Sequence, residues 1–178
     1  MKKHKTCCFI DCYSQDCFME LSHDNPNYVK LESKLKEVCI NLIEDFSVTH
    51  FISGMKFGLE QISADIVLEL KTKFPMVTLE GVVPHENYTI NWTESQRDKY
   101  YSIMQKVDKE VMLQHNFSHD CMIKRDLNMI NKSKYIILYT NNTNEINAIN
   151  KYAKSIGKVV FILDVERLNT IPNIKICR

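Results

Sequence analysis

Apolar positions along the chain follow two rhythms that alternate from end to end. Thr6 to Ile10 (TCCFI) is a short apolar run that reads as a buried strand. After a polar, turn-rich stretch, Asn25-Pro26 is placed to start a helix, and Leu31, Leu35, Val38, Leu42 and Phe46 then recur at three- and four-residue steps. Val48 to Ser53 alternates as a strand, Gly54 to Gly58 is a tight connection, and Leu59, Ile62, Ile66 and Leu70 step helically until Pro75. Val77 to Val83 is a third strand, ended by Pro84. Thr93-Glu94-Ser95-Gln96 has the form of a capping box, which predicts a helix through Lys106. A weak strand at Val111 to Leu113, a short helix at Asp120 to Ile130 and a strong strand at Tyr135 to Tyr139 follow. The series closes with a helix over Asn147 to Ile156, capped by Gly157, and a strand at Lys158 to Leu163.

Strict alternation of strand and helix predicts an α/β, three-layer, Rossmann-like domain. Its sheet is expected to be mostly parallel, with about six strands and helices on both faces. The continuous apolar runs YIILY and VVFIL suit strands covered on both sides. The expected organisation is a single domain over 1–178, with its core at about 6–163 and a tail at 164–178. In such folds ligands gather beyond the carboxyl ends of the strands, so the loops after the strands carry the candidate chemistry.

Composition narrows the function classes. A net charge of +1 and a pI near 7.6 give none of the global basic bias of many nucleic-acid binders. No apolar run approaches the ~18 residues of a membrane span, and the apolar stretch behind the basic start stops at Asp11, short of a signal-peptide core. A soluble cytoplasmic protein is expected. The seven cysteines do not have the spacing of a disulfide scaffold. Cys7, Cys8, Cys12 and Cys17 cluster, but without a Cys-x2-Cys pair or a second ligand pair, and adjacent strand residues point to opposite faces. His115, His119 and Cys121 are a looser group still. No metal and no cofactor are expected.

Four features remain. Ser53-Gly54-Met55-Lys56-Phe57-Gly58 joins a strand to a helix, where glycines let backbone N–H groups approach an anion. It lacks the spacing of a Walker loop or a dinucleotide fingerprint, and a plain turn explains it equally well. Arg125 can present a planar fork to a phosphate or carboxylate; the alternative is a solvated helix face. Thr140 to Asn147, with Asn141, is a polar loop after the strongest strand. Trp92 precedes the capped helix, where it could stack on a base or pack as a hydrophobic staple. Glu60, Asp65 and Glu69 read as a charged outer helix face.

The segments SGMKFGLEQISADIVLELK (53–71), VVPHENYTINWTESQRDKYYSIM (82–104), MIKRDLNMINKSKYIILY (122–139) and YAKSIGKVVFI (152–162) resemble, in order and spacing, the YpsA-like branch of the SLOG superfamily. That superfamily groups Rossmann-like domains related to DprA and to the LOG enzymes. Thr6-Cys7-Cys8-Phe9 is similar to its first strand. The resemblance implies a domain for a nucleotide or nucleotide-derived ligand. Ser53, Gly54 and Gly58 would then line the phosphate side, with Glu60 where the family commonly has Asp. Pro84, Glu86, Asn87 and Trp92 match the loop after the third strand, and Arg125-Asp126 stands at an Arg-Asn pair. Two loops depart: Ile10-Asp11-Cys12-Tyr13 replaces Thr-Gly-His-Arg, and Asn141 to Glu145 replaces Gly-Gly-Thr, with a loss of positive potential at both.

The expected ligand contacts are Asp11, Ser53, Gly54, Met55, Gly58, Glu60, Trp92, Arg125, Asn128, Thr140 and Asn141. No catalytic residue is assigned. The expected role is a non-catalytic or weakly catalytic, sensory or regulatory binding module for a nucleotide-like small molecule. The alternative is a divergent member acting through contacts with another protein or a second copy of itself. A LOG-type phosphoribohydrolase ranks behind both, because the Pro-Gly-Gly-x-Gly-Thr-x-x-Glu loop has no counterpart. Nucleic acid and membrane are not expected partners.

Overall fold

The computed structural model describes residues 5–11, 26–140, 145–165 and 169–171. Six strands alternate with five helices along these residues: β1 (Lys5–Asp11), α1 (Pro26–Glu44), β2 (Val48–Ser53), α2 (Leu59–Leu70), β3 (Thr78–Val83), α3 (Glu94–Met104), β4 (Lys109–Met112), α4 (Cys121–Lys132), β5 (Tyr135–Thr140), α5 (Glu145–Ser155) and β6 (Val159–Asp164). A short β7 (Asn169–Ile171) follows. The sheet order is β4-β3-β2-β1-β5-β6-β7, with β1 to β6 parallel and β7 antiparallel to β6. The alternation of elements therefore builds the expected doubly wound, Rossmann-like sheet, and the extra edge strand lies where the sequence pattern suggests only a tail.

Period-two alternation divides the strand side chains between two cores. Cys7, Phe9, Phe51, Leu79, Ile137 and Tyr139 face the layer of α1, α2 and α3; Cys8, Ile10, Ile52, Val82, Ile136 and Leu138 face α4 and α5. Cys7 and Cys8 are both fully buried on opposite faces, so they do not converge on a shared ion. Cys12 and Cys17 lie outside the described residues.

Local chemistry sets several boundaries. Thr93 accepts from the Gln96 backbone N–H while the Gln96 side chain accepts from the Thr93 N–H, which completes the box that starts α3. Gly157, at φ 75°, closes α5 in the left-handed region. The weak strand sits at Lys109–Met112 rather than 111–113, on the exposed edge, where pairing with β3 rather than apolar content defines it. α4 runs two residues past Ile130, to Lys132.

The sheet order reverses between β1 and β5, so Asp11 and Thr140 end neighbouring strands at the switch point. Ser53, Val83 and Met112 end β2, β3 and β4 along the same edge.

Candidate functional site

The connection from β2 to α2 closes on a carboxylate of its own. Ser53 Oγ accepts from the Met55 N–H (3.2 Å) and donates to the Glu60 carbonyl (2.9 Å). Glu60, wholly buried, turns back from the first turn of α2: Oε2 accepts from the Lys56 N–H (2.9 Å) and Oε1 from the Asp11 N–H (3.2 Å). These are main-chain amides of the kind that otherwise receive a ligand anion. Gly58 sits at φ 105° and Met55 at φ 58°, the sharp geometry that folds the loop onto Glu60.

Gly54 is needed for a different reason. A Cβ there would lie 2.7 Å from both Arg125 Nε and Glu60 Oε2. The glycine leaves room for a buried ion pair.

Arg125 reaches this corner from α4 with 1% of its surface exposed, so the solvated-face reading does not hold. Each guanidinium nitrogen is engaged. Nε donates to Asp126 Oδ1 (3.0 Å), Nη2 to Asp126 Oδ1 (2.7 Å) and Glu60 Oε1 (3.4 Å), and Nη1 to the Gly54 carbonyl (3.2 Å) and the Tyr88 hydroxyl (3.3 Å). Burial disfavours its charge, but Glu60 and Asp126 outweigh that and hold the proton above the ordinary range. Burial pushes Glu60 up to about 7; Arg125 opposes the rise, and Asp126 and Asp11 add to it. Lys56 completes the cluster, with Nζ 3.2 Å from the Asp11 carbonyl and 3.9 Å from Asp11 Oδ2.

The charged outer face read over Glu60, Asp65 and Glu69 is thus split. Asp65, half-buried, pairs with Lys99 and the exposed Glu69 with Lys36, whereas Glu60 is interior. The period of α2 turns Glu60 toward the sheet, where Arg125 and the Lys56 and Asp11 N–H groups make a carboxylate tolerable.

Beside the cluster lies an open cleft of about 560 Å³, beyond the carboxyl ends of β3 and β4 and against the start of α4. Its walls carry the rings of His85, Tyr88, Trp92 and Phe117 and the carboxamides of Asn87, Asn91 and Asn116. Three successive turns, from the Tyr88, Ile90 and Trp92 N–H groups to the His85, Asn87 and Thr89 carbonyls, coil the first wall. The rings brace one another edge to face: Tyr88–Trp92 at 5.1 Å, His85–Tyr88 at 5.9 Å and His85–Phe117 at 5.5 Å. Trp92 also packs on Tyr100 and Phe57, so it is a packing residue that still shows a face to the cleft. His85 is 9% exposed, and its Nδ1 is buried with no hydrogen-bond partner. Tyr88 joins cleft to cluster, lining the first and accepting from Arg125 in the second.

Of the residues expected at a ligand, Asp11, Ser53, Gly54, Met55, Gly58, Glu60 and Arg125 come together in or around the charged cluster. Trp92 lies in the cleft. Asn128, three residues along α4 from Arg125, has a buried Oδ1 with no hydrogen-bond partner. Thr140 ends β5, nearly buried, and Asn141 lies outside the described residues. The cleft walls at His85, Tyr88, Asn116 and Phe117 escaped the sequence reading. The 113–120 loop shows there only as a loose His and Cys group, and its signal, Phe117 among polar residues, gains meaning only when β4 brings it opposite 85–92. Among the described residues, no three His, Cys, Asp or Glu side chains converge as metal ligands, and no helix is long and apolar enough to cross a membrane.

Known proteins place this architecture. The UPF0398 protein of Lactobacillus acidophilus is 31% identical over 87 residues, covering 49% of this chain and 46% of its own. That of Levilactobacillus brevis is 23% identical over 168 residues, covering 84% and 82%. That of Brevibacillus brevis is 28% identical over 100 residues, covering 56% and 53%. The chain spans about half the length of the first two curated relatives it matches, 46% and 44%. The YpsA family model, described as the YspA SLOG family, matches residues 10–165, and the chain belongs to that family.

Proposed function

We propose that this domain is a non-catalytic binding module for a nucleotide-derived small molecule, seated in the cleft between the 85–92 turns and the 116–122 segment. The cleft itself carries the reading. Its volume is in the usual range for a small-molecule site, ~300–1,000 Å³. Four rings supply stacking surfaces, and three carboxamides supply donors and acceptors suited to a heterocycle edge. Its place at the carboxyl edge of a doubly wound sheet, and the YpsA family match, support the same reading.

Trp92 is the single tryptophan of the chain, so its fluorescence reports on the cleft wall directly. Nucleosides, mononucleotides, ADP-ribose and cyclic dinucleotides are titrated while emission and melting temperature are followed. A ligand at 100 times its Kd stabilises the fold by ~2.7 kcal/mol. Quenching with a matching rise in melting temperature, both lost in Asn116→Ala, is the expected result. Silence across the whole panel refutes the proposal.

A second reading, contact with another protein, has one observation in its favour. Exposed Ile123 and Leu127 on α4 border an apolar groove of about 300 Å³ against Ala148, Ile149 and Tyr152 of α5. Sedimentation of wild type and Ile123→Lys at rising concentration tests for self-association through it.

A further inference from the structure

Resting on the cleft reading above, we infer that the part of the ligand recognised here is uncharged, a nucleoside or free base, and that the adjoining corner disfavours a phosphate. The β2–α2 connection has the backbone form of an anion cradle, but its occupant is built in. Glu60 Oε2 takes the Lys56 N–H, Glu60 Oε1 takes the Asp11 N–H, and Ser53 Oγ takes the Met55 N–H. A phosphate would have to displace a wholly buried carboxylate from those amides and from Arg125.

The cations are committed in the same way. All three Arg125 nitrogens are bonded within the protein, and Lys56 is drawn to Asp11. Two cations, Arg125 and Lys56, face Asp126, Asp11 and the partly ionised Glu60, so the corner holds no excess of positive charge. The start of α4, which opens on the cleft through Cys121 and Met122, has Asp120 at its N-cap. That carboxylate already offsets the positive end of the helix.

The cleft walls, by contrast, are rings and carboxamides. The orphaned His85 Nδ1 is enclosed among them, and a heterocycle edge offers it either a donor or an acceptor, whichever its tautomer requires. The recognition chemistry is therefore stacking and neutral hydrogen bonding, the needs of a base and sugar.

The test uses the unmodified full chain. Adenosine, guanosine, cytidine and uridine are titrated against Trp92 emission and melting temperature, each beside its own 5′-monophosphate, with inorganic phosphate as a separate probe. The expected result is that at least one nucleoside binds and its monophosphate binds roughly fivefold more weakly at low salt. That gap should narrow as added salt screens the repulsion, and phosphate alone should give no response. A monophosphate that binds tenfold more tightly than its nucleoside, weakening as salt rises, overturns this inference and leaves the binding module standing. No response to any of the eight compounds overturns this inference, and the binding module falls with it only if ADP-ribose and the cyclic dinucleotides are silent as well.

Discussion

Glu60 makes the buried cluster pH-dependent, and replacing it with glutamine isolates that dependence. Enclosure pushes its pKa from 4.5 up to about 7 against the pull of Arg125. A carboxyl with a higher pKa folded than unfolded keeps its proton longer in the native state. Its stabilising contribution is therefore fully present below about pH 4.5 and is lost as pH rises through about 7. At about 1.4 kcal/mol per pH unit, the loss across that window is ~3 kcal/mol. In Glu60→Gln the side chain is neutral throughout, and this slope disappears. The amide has a single oxygen, so either the Asp11 or the Lys56 N–H loses its acceptor, at ~1–3 kcal/mol at every pH. His50, whose pKa burial lowers, titrates with the opposite sign but identically in both proteins, so the difference between them reports position 60. Urea unfolding from about pH 5 to pH 8 should show the wild type ahead at the acid end and the gap shrinking by ~3 kcal/mol toward the alkaline end. A difference that stays constant, or widens with pH, refutes the reasoning.

Three further changes probe the same framework. Arg125→Met strands Glu60 and Asp126 beside each other and should cost ~3–5 kcal/mol in urea unfolding, more at pH 8 than at pH 5 because, with Arg125 no longer opposing the rise, ionising Glu60 inside the fold becomes costlier. Equal losses at both pH values would count against the pair. Gly54→Ala drives a Cβ to within 2.7 Å of Arg125 Nε and Glu60 Oε2 and should destabilise by ~1–3 kcal/mol in calorimetry. An unchanged melting temperature would mean the approach is looser than described. Thr93→Ala removes the side-chain acceptor of the α3 box and should cost ~1 kcal/mol. Hydrogen exchange of the Gln96 amide should rise with it, and unaltered protection would show that the bond contributes nothing.

Elements with a strong period were legible before any coordinates. The apolar steps of α1 and α2, the continuous runs of β5 and β6, the Thr93–Gln96 box and Gly157 are local signals, and each formed the expected element at or near its expected place. Their alternation sufficed for a doubly wound sheet because few other arrangements bury so many two-faced strands. Elements with weak local signals were shifted or missed. β4 is mostly exposed, and β7 exists through its pairing with β6.

The site divides along the same line. Glycine spacing at 54–58 correctly marked a special turn, and the residues around it do meet. Pattern alone could not tell whether that turn awaits an anion or already holds one. That choice depends on Glu60 and Arg125, 65 positions apart, meeting at 3.4 Å inside the fold. Nor could it reveal the cleft, whose two walls follow β3 and β4 and face each other only because those strands are neighbours. Secondary structure follows from interactions a few residues long, which the order of amino acids displays directly. Burial and charge balance at one corner are sums over distant segments, and those sums exist only once the chain has folded.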